Sequence, residues 1–541
     1  MKHVLLALTS LLSTFSYAQS GKFTFKLGTE YDLPRKTDDL SFIGNEKDGI
    51  VNVSTKNDEL SLLRFDYNSL KQTDEKVIPI EEKSKYFVSE TLVDFGTKYY
   101  WLHSDYDKSS QTEFLNYNTV DIKNASISTP FKNIIEAKKL ASTIIQGEYN
   151  AFLGTYKMKV SKYQYNYDAN NSRLLVSYRI KPEEKDDKKN VDKLGIFVFD
   201  ENMNKLWGNE FTMPYTEAIM DNSDFSVDGK GNAYLLSKVY DSDRRKEKDK
   251  ETGKAAYHYE VLKFTKESNQ ILNTKIEIGD YFIREALLVE NSLHEMVIAC
   301  TYSKKSAGAG TDGIFLALMG QDGKITKYKN GYYEFPVEEM VKFETEREKR
   351  RIEKKKDYEA PFLSVRNIVV HPDGSLFLGL EQNYVVQTNY DYVGSPYKNK
   401  STSSWYYEDI IAVKIGSKGN FEWIRKIPKR QRGDNSGGMG TMSYKMVADA
   451  SGYYFLFLDN KDNLNLAADQ EPKLHLDGYG GQVVVAKLDN TGTVTKELVF
   501  DTREEEVKIF PSQFRRINGT QFIGRAKMKK GGFKPLIVTA N

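Results

Sequence analysis

The 541-residue sequence has few of the features that most often reveal a protein's chemistry. It has one cysteine, Cys300, so no disulfide can form within the chain and stability must come from burial. Lysine and arginine total 78 against 76 aspartate and glutamate residues, which gives no electrostatic signature of nucleic-acid binding. Beyond residue 18, no apolar run approaches the roughly 20 residues of a membrane helix, so no transmembrane span is expected in the mature chain.

Familiar catalytic and metal-binding motifs are also missing. Neither the phosphate-cradling GxxxxGK[ST] loop nor the G-x-S-x-G nucleophile elbow occurs. The histidines show no metal-ligand spacing, so no metal or other cofactor is expected. Cys300 lies within the apolar stretch HEMVIACTYS, which favours a buried, inert thiol. The sequence therefore identifies no catalytic residue.

The chain opens with MKHVLLALTSLLSTFSYAQS, in which Lys2 and His3 precede an apolar run that ends in small residues at Ser16-Tyr17-Ala18. This pattern predicts a secretory signal peptide over residues 1–18. The mature chain, residues 19–541, is therefore expected in the periplasm, at the outer membrane or outside the cell.

Two phrases recur along the chain. One is an alternating strand, a polar turn and a second strand, as in LGIFVFDENMNKLW at 194 and VVVAKLDNTGTVTK at 483. The other is a polar corner followed by an apolar strand, as in VDGKGNAYLLSK at 227, HPDGSLFLGLEQ at 371 and VADASGYYFLFL at 447. Alternating runs with Gly, Asn or Asp at the corner predict β-hairpins. Eight copies of the first phrase can be traced, the first, second and last of which are weakly marked.

A repeated four-stranded unit of about 40 to 50 residues is typical of a propeller blade. Through these generic blade repeats the mature chain resembles secreted β-propellers over almost its whole length. The resemblance implies one all-β domain, residues 19–541, of eight four-stranded blades, with seven blades as the alternative. The last copy ends at Asn541 without an outer strand, and GKFTFKLG at 21 is predicted to supply it and close the ring.

The long insertions are predicted to share one face of the propeller. If the strands of a blade are called a to d, the a–b and c–d corners lie on one face, here called the corner face. The b–c and d–a connections lie on the other, here called the decorated face. The corners are short, whereas the long segments near 131–158, 181, 241, 303, 337, 387 and 459 all fall in b–c or d–a connections. Connections of such length often carry function.

The segment 337–358 is predicted to be a helical insertion. Fifteen of the 20 residues from 338 to 357 are charged, and Glu346 with Arg350 has the i,i+4 spacing of a supporting ion pair. Its apolar residues cluster near the start, so only that end can dock. Two interpretations remain open: an arm that binds a partner through Arg347, Arg350 and Arg351, or a solvated helix that bridges two blades.

The segment from 387 to 409 is rich in aromatic residues among Gly, Ser and Asn. Its candidate contact residues are Tyr390, Tyr392, Tyr397, Trp405, Tyr406 and Tyr407. Aromatic side chains with adaptable polar neighbours are typical of surfaces that bind proteins or carbohydrates. Alternatively, these side chains cover the edge of a blade.

Two functions are compatible with these patterns. The first is a non-enzymatic binding or scaffold protein of the cell envelope or cell surface, with another envelope or surface protein, or a carbohydrate, as its partner. The second is a propeller enzyme that acts on polysaccharide or peptide at the mouth of the central channel. Converging carboxylates or an arginine cluster in a deep pocket would favour the enzyme, and a flat aromatic rim would favour the binding protein.

Overall fold

The structure is a computed structural model that describes ten stretches of the chain. These are residues 23–33, 37–56, 58–81, 83–141, 162–183, 189–354, 358–391, 399–434, 440–476 and 480–540. The predicted signal peptide, residues 1–18, lies outside them.

Eight antiparallel sheets form eight blades of a β-propeller, which confirms the predicted fold. Blades 1 to 4 contain β2 (Asp38–Asn45), β3 (Gly49–Lys56), β4 (Glu59–Phe65) and β5 (Gln72–Pro79); β6 (Val88–Asp94), β7 (Tyr99–Asp107), β8 (Thr112–Asp121), β9 (Ser126–Ile127) and β10 (Lys132–Lys138); β11 (Tyr163–Tyr167), β12 (Arg173–Arg179), β13 (Val191–Asp200) and β14 (Lys205–Thr216); β15 (Met220–Val227), β16 (Ala233–Tyr240), β17 (Tyr257–Thr265) and β18 (Ser268–Ile276).

Blades 5 to 8 repeat the same antiparallel order. They contain β19 (Phe282–Glu290), β20 (Met296–Ser303), β22 (Gly313–Met319) and β23 (Ile325–Glu334); β25 (Leu363–Val370), β26 (Leu376–Asp391), β27 (Asn399–Ile415) and β28 (Phe421–Ile427); β30 (Tyr444–Asp449), β31 (Gly452–Asp459), β33 (Gln482–Asp489) and β34 (Val494–Asp501); β35 (Val507–Ile509), β36 (Arg515–Asn518), β37 (Gln521–Met528), β38 (Phe533–Ala540) and β1 (Phe23–Leu27).

Short elements fill the connections between strands. They are β21 (Gly310–Thr311), which pairs with β24 (Ala360–Pro361), β29 (Gln431–Asp434), which pairs with β27 and β32 (His475–Leu476), helices α1 (Val337–Met340) and α2 (Glu346–Glu353), and 3-10 turns at Lys461–Asn463 and Pro511–Gln513. Neither α-helix in the described part of the chain is long and apolar enough to cross a membrane.

The N-terminal strand closes the ring, as predicted. Strand β1 pairs antiparallel with β38 from Phe23 opposite Ala540 to Leu27 opposite Leu536, and so becomes the outer strand of blade 8. Apolar side chains fill the layer between each pair of neighbouring blades, and the layer between blades 8 and 1 includes Phe42 and Ile537. Eight such layers join the blades in sequence, so the ring has eight blades and not seven.

Two predicted connections differ in the structure. Residues 132–138, assigned from the sequence to a d–a connection, form β10 and pair with β8 in the outer position of blade 2. The outer strand was missed because it is divided: β9 and β10 are separated by Pro130, which has no N–H for a ladder hydrogen bond. The remainder of that segment, residues 142–158, lies outside the described residues.

The predicted helix at 337–358 is two short helices rather than one. The chain leaves helical geometry at Phe343, which has φ +67° and donates its backbone N–H to Ala468 O (2.8 Å). Helix α2 then begins afresh after Thr345, whose Oγ1 accepts from Glu348 N (3.3 Å). Met340 at the start is buried between blades 5 and 6, as predicted, whereas α2 buries no residue and contacts Ala468 O through Lys349 Nζ (3.5 Å).

Candidate functional site at the channel mouth

A cavity of about 590 Å³ opens at the mouth of the central channel, on the decorated face. The innermost strands of blades 4, 5 and 6 begin on this face, and their first residues line the cavity. Lining residues from these strands are Asp221, Asn222, Ser223, Arg284, Glu285, Leu363, Ser364 and Arg366. The far wall comes from Asn383 to Val385 of β26, Trp405 to Tyr407 of β27, and the approach to β30.

A repeated β-bulge presents two arginines to this cavity. The inner strand of blade 5 has an extra residue between Ile283 and Glu285, and that of blade 6 has one between Val365 and Asn367. The extra residues are Arg284 and Arg366. Bulges re-aim side chains and are frequent beside functional sites. Both guanidinium groups therefore occupy equivalent positions on adjacent blades.

Arg284 holds the neighbouring b–c connection in place. Its Nε donates to Gly310 O (3.1 Å), Nη1 to Ser306 O (3.3 Å) and Nη2 to Lys305 O (2.6 Å). These three acceptors are neutral carbonyl groups, so they orient the guanidinium without cancelling its charge. The positive charge of Arg284 therefore still contributes to the electrostatic potential inside the cavity.

Arg366 belongs to a buried ion network. Its Nε lies 3.2 Å from Glu381 Oε2, and Lys429 Nζ lies 2.8 Å from Glu381 Oε1. The side chains of Glu381 and Lys429 are fully buried, whereas that of Arg366 is 37% exposed. Ser443, held at φ +67° beside the cavity, also donates its hydroxyl to Glu381 (2.6 Å). Two cations thus flank Glu381, and the carboxylates of Glu285 and Asp221 also line the cavity.

A second ion network connects the base of this wall with the helical insertion. Asp409 accepts the backbone N–H of Lys429 (3.1 Å), and its other oxygen lies 2.8 Å from Lys426 Nζ. Lys426 Nζ also contacts Glu344 (3.2 Å) and donates to Met340 O (3.1 Å). The acidic neighbours raise the pKa of Lys426 against the opposing effect of its burial. The cavity and the insertion therefore share one rigid polar support.

Tyrosines supply the hydroxyl groups of the cavity. Tyr384 stacks on Tyr406 with ring centroids 4.9 Å apart and donates its hydroxyl to Glu408 (3.2 Å). Burial raises the pKa of Tyr407 to about 12 and that of Tyr240 to about 12, and burial together with Glu408 raises the pKa of Tyr384. The phenols stay protonated at neutral pH, so they serve as hydrogen-bond donors and not as bases.

The structure brings three of the predicted aromatic residues to the cavity. Tyr406 lines it while stacked on Tyr384, and Trp405 and Tyr407 line it as part of a buried cluster with Met442. Trp405 and Tyr407 are only 6% and 7% exposed, so they cover a blade edge as well as face the cavity. Tyr390 lies in β26, and its side chain is outside the described atoms. Tyr392 and Tyr397 lie outside the described residues.

The aromatic segment is a β-hairpin rather than the loop that the sequence suggested. Strands β26 and β27 continue past the blade and pair with each other from Asn383 opposite Tyr407 to Asp391 opposite Asn399. Runs such as YVVQT and STSSWYY are rich in β-branched and aromatic residues, which favours extension of the ladder. We call this extension, residues 383–391 and 399–409, the arm.

One edge of the arm is free in the described structure. The last ladder pair between β25 and β26 is Leu363 with Gln382, and Asn383 N still donates to Phe362 O (3.0 Å). From Tyr384 onward, β26 pairs only with β27 in the described residues. Val385 and Val386 on this edge are 38% and 42% exposed, and the adjacent Phe362 is 44% exposed. An unpaired edge with apolar side chains is a template for addition of another strand.

The three arginines predicted in the helical insertion are not at the cavity. Arg347, Arg350 and Arg351 lie on α2, which has no buried residue. Glu346, expected from its spacing to pair with Arg350, contacts Lys349 (3.2 Å), and Glu348 contacts Arg351 (3.2 Å). The structure leaves both interpretations of this helix open.

Sequence reasoning missed the arginines of the cavity and their carboxylate. A signal existed: YFIREALL at 281 and LSVRNIVV at 363 each place an arginine inside an apolar strand. Charged residues in inner strands need a partner or a functional reason. Glu381 was less visible, because its partner Lys429 is 48 residues away in sequence.

The thiol and the histidines play no part in the channel-mouth cavity. Cys300 is buried between blades 4 and 5, and burial raises its pKa, which confirms a buried thiol. Within the described part of the chain, no cluster of three or more histidine, cysteine, aspartate or glutamate residues is arranged to hold a metal ion.

Comparison with known proteins yields similarity of fold only. No protein-family profile matches the sequence, and no curated protein matches it. Among solved structures, the acylaminoacyl peptidase of Pyrococcus horikoshii is 11% identical over 92% of this chain and 59% of its own, with a TM-score of 0.33. A prolyl endopeptidase is 9% identical over 92% of this chain and 54% of its own, with a TM-score of 0.38. The chain thus spans little more than half the length of either peptidase.

Two further solved structures are covered over most of their length. An ulvan lyase, a polysaccharide lyase, is 10% identical over 84% of this chain and 91% of its own, with a TM-score of 0.37. An uncharacterized protein from Listeria monocytogenes is 9% identical over 83% of this chain and 93% of its own, with a TM-score of 0.37. These values are too low to transfer an activity or a substrate to this chain.

Proposed function

We propose that this is a non-enzymatic binding protein of the cell envelope or cell surface that captures an extended segment of a partner protein on its decorated face. The observation that carries the proposal is the free edge of the arm beside the channel-mouth cavity. An extended segment added to β26 would form main-chain hydrogen bonds with this edge and contact Val385 and Val386.

The cavity adds a preference for acidic side chains. A segment paired with the arm passes the wall that carries Arg366 and the tyrosine hydroxyls. Arg366 is 37% exposed and is oriented by Glu381, so its position is fixed before a ligand arrives. Guanidinium groups bind carboxylates with strong, directional hydrogen bonds. The expected partner segment is therefore extended, partly apolar and acidic.

A capture experiment with a matched surface control tests this proposal. The mature chain, residues 19–541, is immobilised and incubated with envelope extract, and retained proteins are quantified by mass spectrometry. Val385→Lys should reduce retention of the partner by roughly thirtyfold, the effect of losing about 2 kcal/mol at an interface anchor. Val77→Lys, on the outer strand of blade 1 and 50% exposed, should retain it. Equal loss with both variants, or none with Val385→Lys, would refute the role of the arm.

A second candidate function is an enzyme that acts on polysaccharide or peptide at the channel mouth. It is favoured by Glu408, whose pKa is raised by burial and by the neighbouring Asp409. Glu408 is hydrogen-bonded to Tyr384 in the cavity wall (3.2 Å), so a protonated Glu408 could pass its proton to the Tyr384 oxygen while the Tyr384 hydroxyl gives its own proton to a leaving group. If this candidate is right, Tyr384→Phe and Glu408→Gln should each abolish turnover of a polysaccharide or peptide that the wild-type protein cleaves.

A further inference from the structure

Two adjoining cavities lie at blade 2, one of them also lined by blade 1, and their lining is well apart in sequence from that of the channel mouth. Their volumes are about 500 and 590 Å³, and both are lined by Asp105, Asn116 and Phe131. These three residues form a wall common to both cavities, and we call the two cavities together the blade 2 groove. Cavities of a few hundred cubic ångströms with mostly apolar walls are typical of small-molecule sites.

The groove exists because the outer strand of blade 2 is interrupted. Strand β9 ends at Ile127 and β10 begins at Lys132, and Pro130 stands in the gap. Phe131 is 41% exposed at the division between the two cavities. A large aromatic side chain held in the open at a break in a strand is available to a ligand, whereas an aromatic core residue is not.

Aromatic rings line the groove on both sides of Phe131. The lining includes Tyr86, Phe87, Trp101, Tyr106, Phe114 and Phe131. Phe87 stacks on His103 with centroids 5.2 Å apart, and Phe131 meets the same imidazole edge-on at 5.4 Å. Tyr86 packs against Tyr106 at 5.5 Å. Flat rings in series suit a ligand made of several flat units with apolar faces.

Polar groups of fixed orientation stand between these rings. Asn118 donates its amide to Ser128 O (2.7 Å), so its oxygen accepts the Nε2–H of His103 (3.0 Å). The remaining ring nitrogen of His103, Nδ1, is then an acceptor and has no hydrogen-bond partner, although the residue is 4% exposed. Burial lowers the pKa of His103 to about 4, so the ring is neutral.

Asn116 supplies a hydrogen-bond donor, which complements the acceptor nitrogen of His103. Its Oδ1 accepts from Asn133 Nδ2 (3.1 Å), which leaves the amide NH₂ of Asn116 as its donor end. Asn116 and Asn133 both line the groove. Planar amides that offer donors and acceptors beside aromatic faces match the hydroxyl groups and the apolar ring faces of a sugar.

The charges of the groove favour a neutral ligand. Three lysines, Lys83, Lys85 and Lys108, face four carboxylates, Glu81, Asp105, Asp107 and Glu136. Asp105 already accepts the backbone N–H of Ser84 (2.8 Å), and Asp107 accepts from Ser109 and Ser110. No excess of positive charge is present to attract an anionic polymer. In this respect the groove differs from the channel mouth with its two arginines.

We propose that the blade 2 groove is a second binding site, which takes a neutral oligosaccharide with its sugar rings against Phe131 and the neighbouring aromatic residues. Asn116 and Asn133 would bind the hydroxyl groups. The inference is independent of the arm and of the channel-mouth cavity, since no residue lines both sites.

Isothermal titration of the mature chain with defined hexasaccharides tests this site. The neutral probes are maltohexaose, cellohexaose and N-acetylchitohexaose, and the anionic probe is hexagalacturonate. At least one neutral probe should bind at millimolar concentration or below, and Phe131→Ala should weaken it about tenfold through lost stacking. Phe362→Ala, a matched exposed phenylalanine at the arm, should leave that affinity unchanged.

Three results would overturn the proposal. One is that no neutral probe binds; another is that Phe131→Ala binds as tightly as the wild-type chain. The third is tighter binding of hexagalacturonate than of every neutral probe, which would mark an anion site. Phe131 is 41% exposed and contacts His103, so the thermal unfolding curve of Phe131→Ala is measured in parallel, and a loss of binding at temperatures where the variant is folded is assigned to the groove.

Discussion

The two faces of the propeller are made by the same blades but are held together in different ways. On the corner face, turns are closed by local hydrogen bonds: Asp200 accepts the backbone N–H of Asn204, and Asp489 that of Thr493, four residues along the chain in each case. On the decorated face, Glu381 pairs with Lys429 across 48 residues, and Lys426 with Glu344 across 82. The turns of the corner face are thus specified locally, whereas these ion pairs of the decorated face depend on the fold as a whole.

The largest loss of stability is expected from deleting a strand that contributes to both faces of the propeller. Deletion of residues 20–30 removes β1, which supplies the outer strand of blade 8 and buries Phe23 against Tyr454. The last blade would then expose the edge of β38, so we expect a lower melting temperature and aggregation. Differential scanning calorimetry and size-exclusion chromatography measure the two effects.

An unchanged melting curve for this deletion would contradict ring closure by β1. A control deletion of residues 19–21, which lie outside the described strands, should leave the melting temperature unaltered. If both deletions lower the melting temperature equally, the loss does not come from the strand.

The next largest loss of stability is expected from breaking an ion pair, and its size should differ between the two faces. Glu381→Leu leaves Lys429 fully buried without its carboxylate, and such losses cost about 3 to 5 kcal/mol of unfolding free energy. Glu201→Ala removes a pair with Lys98 at a corner, where both side chains are at least 36% exposed, and should cost less than about 1 kcal/mol. Chemical denaturation of both variants gives the two values.

A double variant separates the charge from the packing. Replacing both partners, Glu381→Leu with Lys429→Met, removes the unpaired cation, so most of the stability lost in the single variant should return. If the double variant is as unstable as Glu381→Leu alone, the lost unfolding free energy comes from packing and not from the unpaired charge of Lys429.

A smaller effect, dependent on pH, is expected at His103. Its folded pKa of about 4 lies below the usual value near 6.5, so below pH 6.5 the unfolded chain takes up a proton that the folded chain does not. Stability from this group is full above pH 6.5 and is lost as the pH falls towards 4, by at most about 3 kcal/mol. His103→Gln should flatten this part of the stability profile, measured by denaturation between pH 7 and 4.5. An unchanged slope would show that His103 is not the group responsible.

The difference between the faces also explains what the sequence could predict about the fold. Corners such as DENMN at 200 and DNTGT at 489 carry their own hydrogen-bonding groups, so hairpins and blades could be recognised from short stretches. Ring closure was predictable because the last copy lacked a strand and the first stretch supplied one. The divided outer strand of blade 2 was not recognised, because Pro130 interrupts the alternating pattern on which the prediction depended.

The candidate site was only partly predictable, for the same physical reason. Trp405, Tyr406 and Tyr407 were recognised from their composition, because aromatic clustering is a local property. The role of Arg366 depends on Glu381 and on the cavity formed by several blades, and a single sequence holds no record of which distant residues meet. The segment 387–409 resembles an irregular connection because Gly, Ser and Asn are spread through it, although its β-branched and aromatic residues favour the hairpin that forms.

The smallest effect on stability is expected from helix α2 of the helical insertion, in contrast with the docked helix α1. Met340 of α1 is 2% exposed, and Met340→Ala should cost about 2 to 5 kcal/mol through loss of core packing. Replacing residues 347–356 with a Gly/Ser linker of equal length should change the unfolding free energy by less than about 0.5 kcal/mol, because α2 buries no residue.

This replacement also decides between the two interpretations of α2. The linker variant is tested in the same capture assay as Val385→Lys. Val77→Lys again serves as the control for a surface change outside the arm. If α2 is a partner arm, loss of Arg347, Arg350 and Arg351 should abolish retention of the captured protein while the melting curve stays native. Salt should then weaken the wild-type interaction, since exposed charges are screened within about 10 Å at 0.1 M ionic strength. Full retention by the linker variant would make α2 a solvated bridge between blades 5 and 6 and would leave the arm of blade 6 as the contact surface.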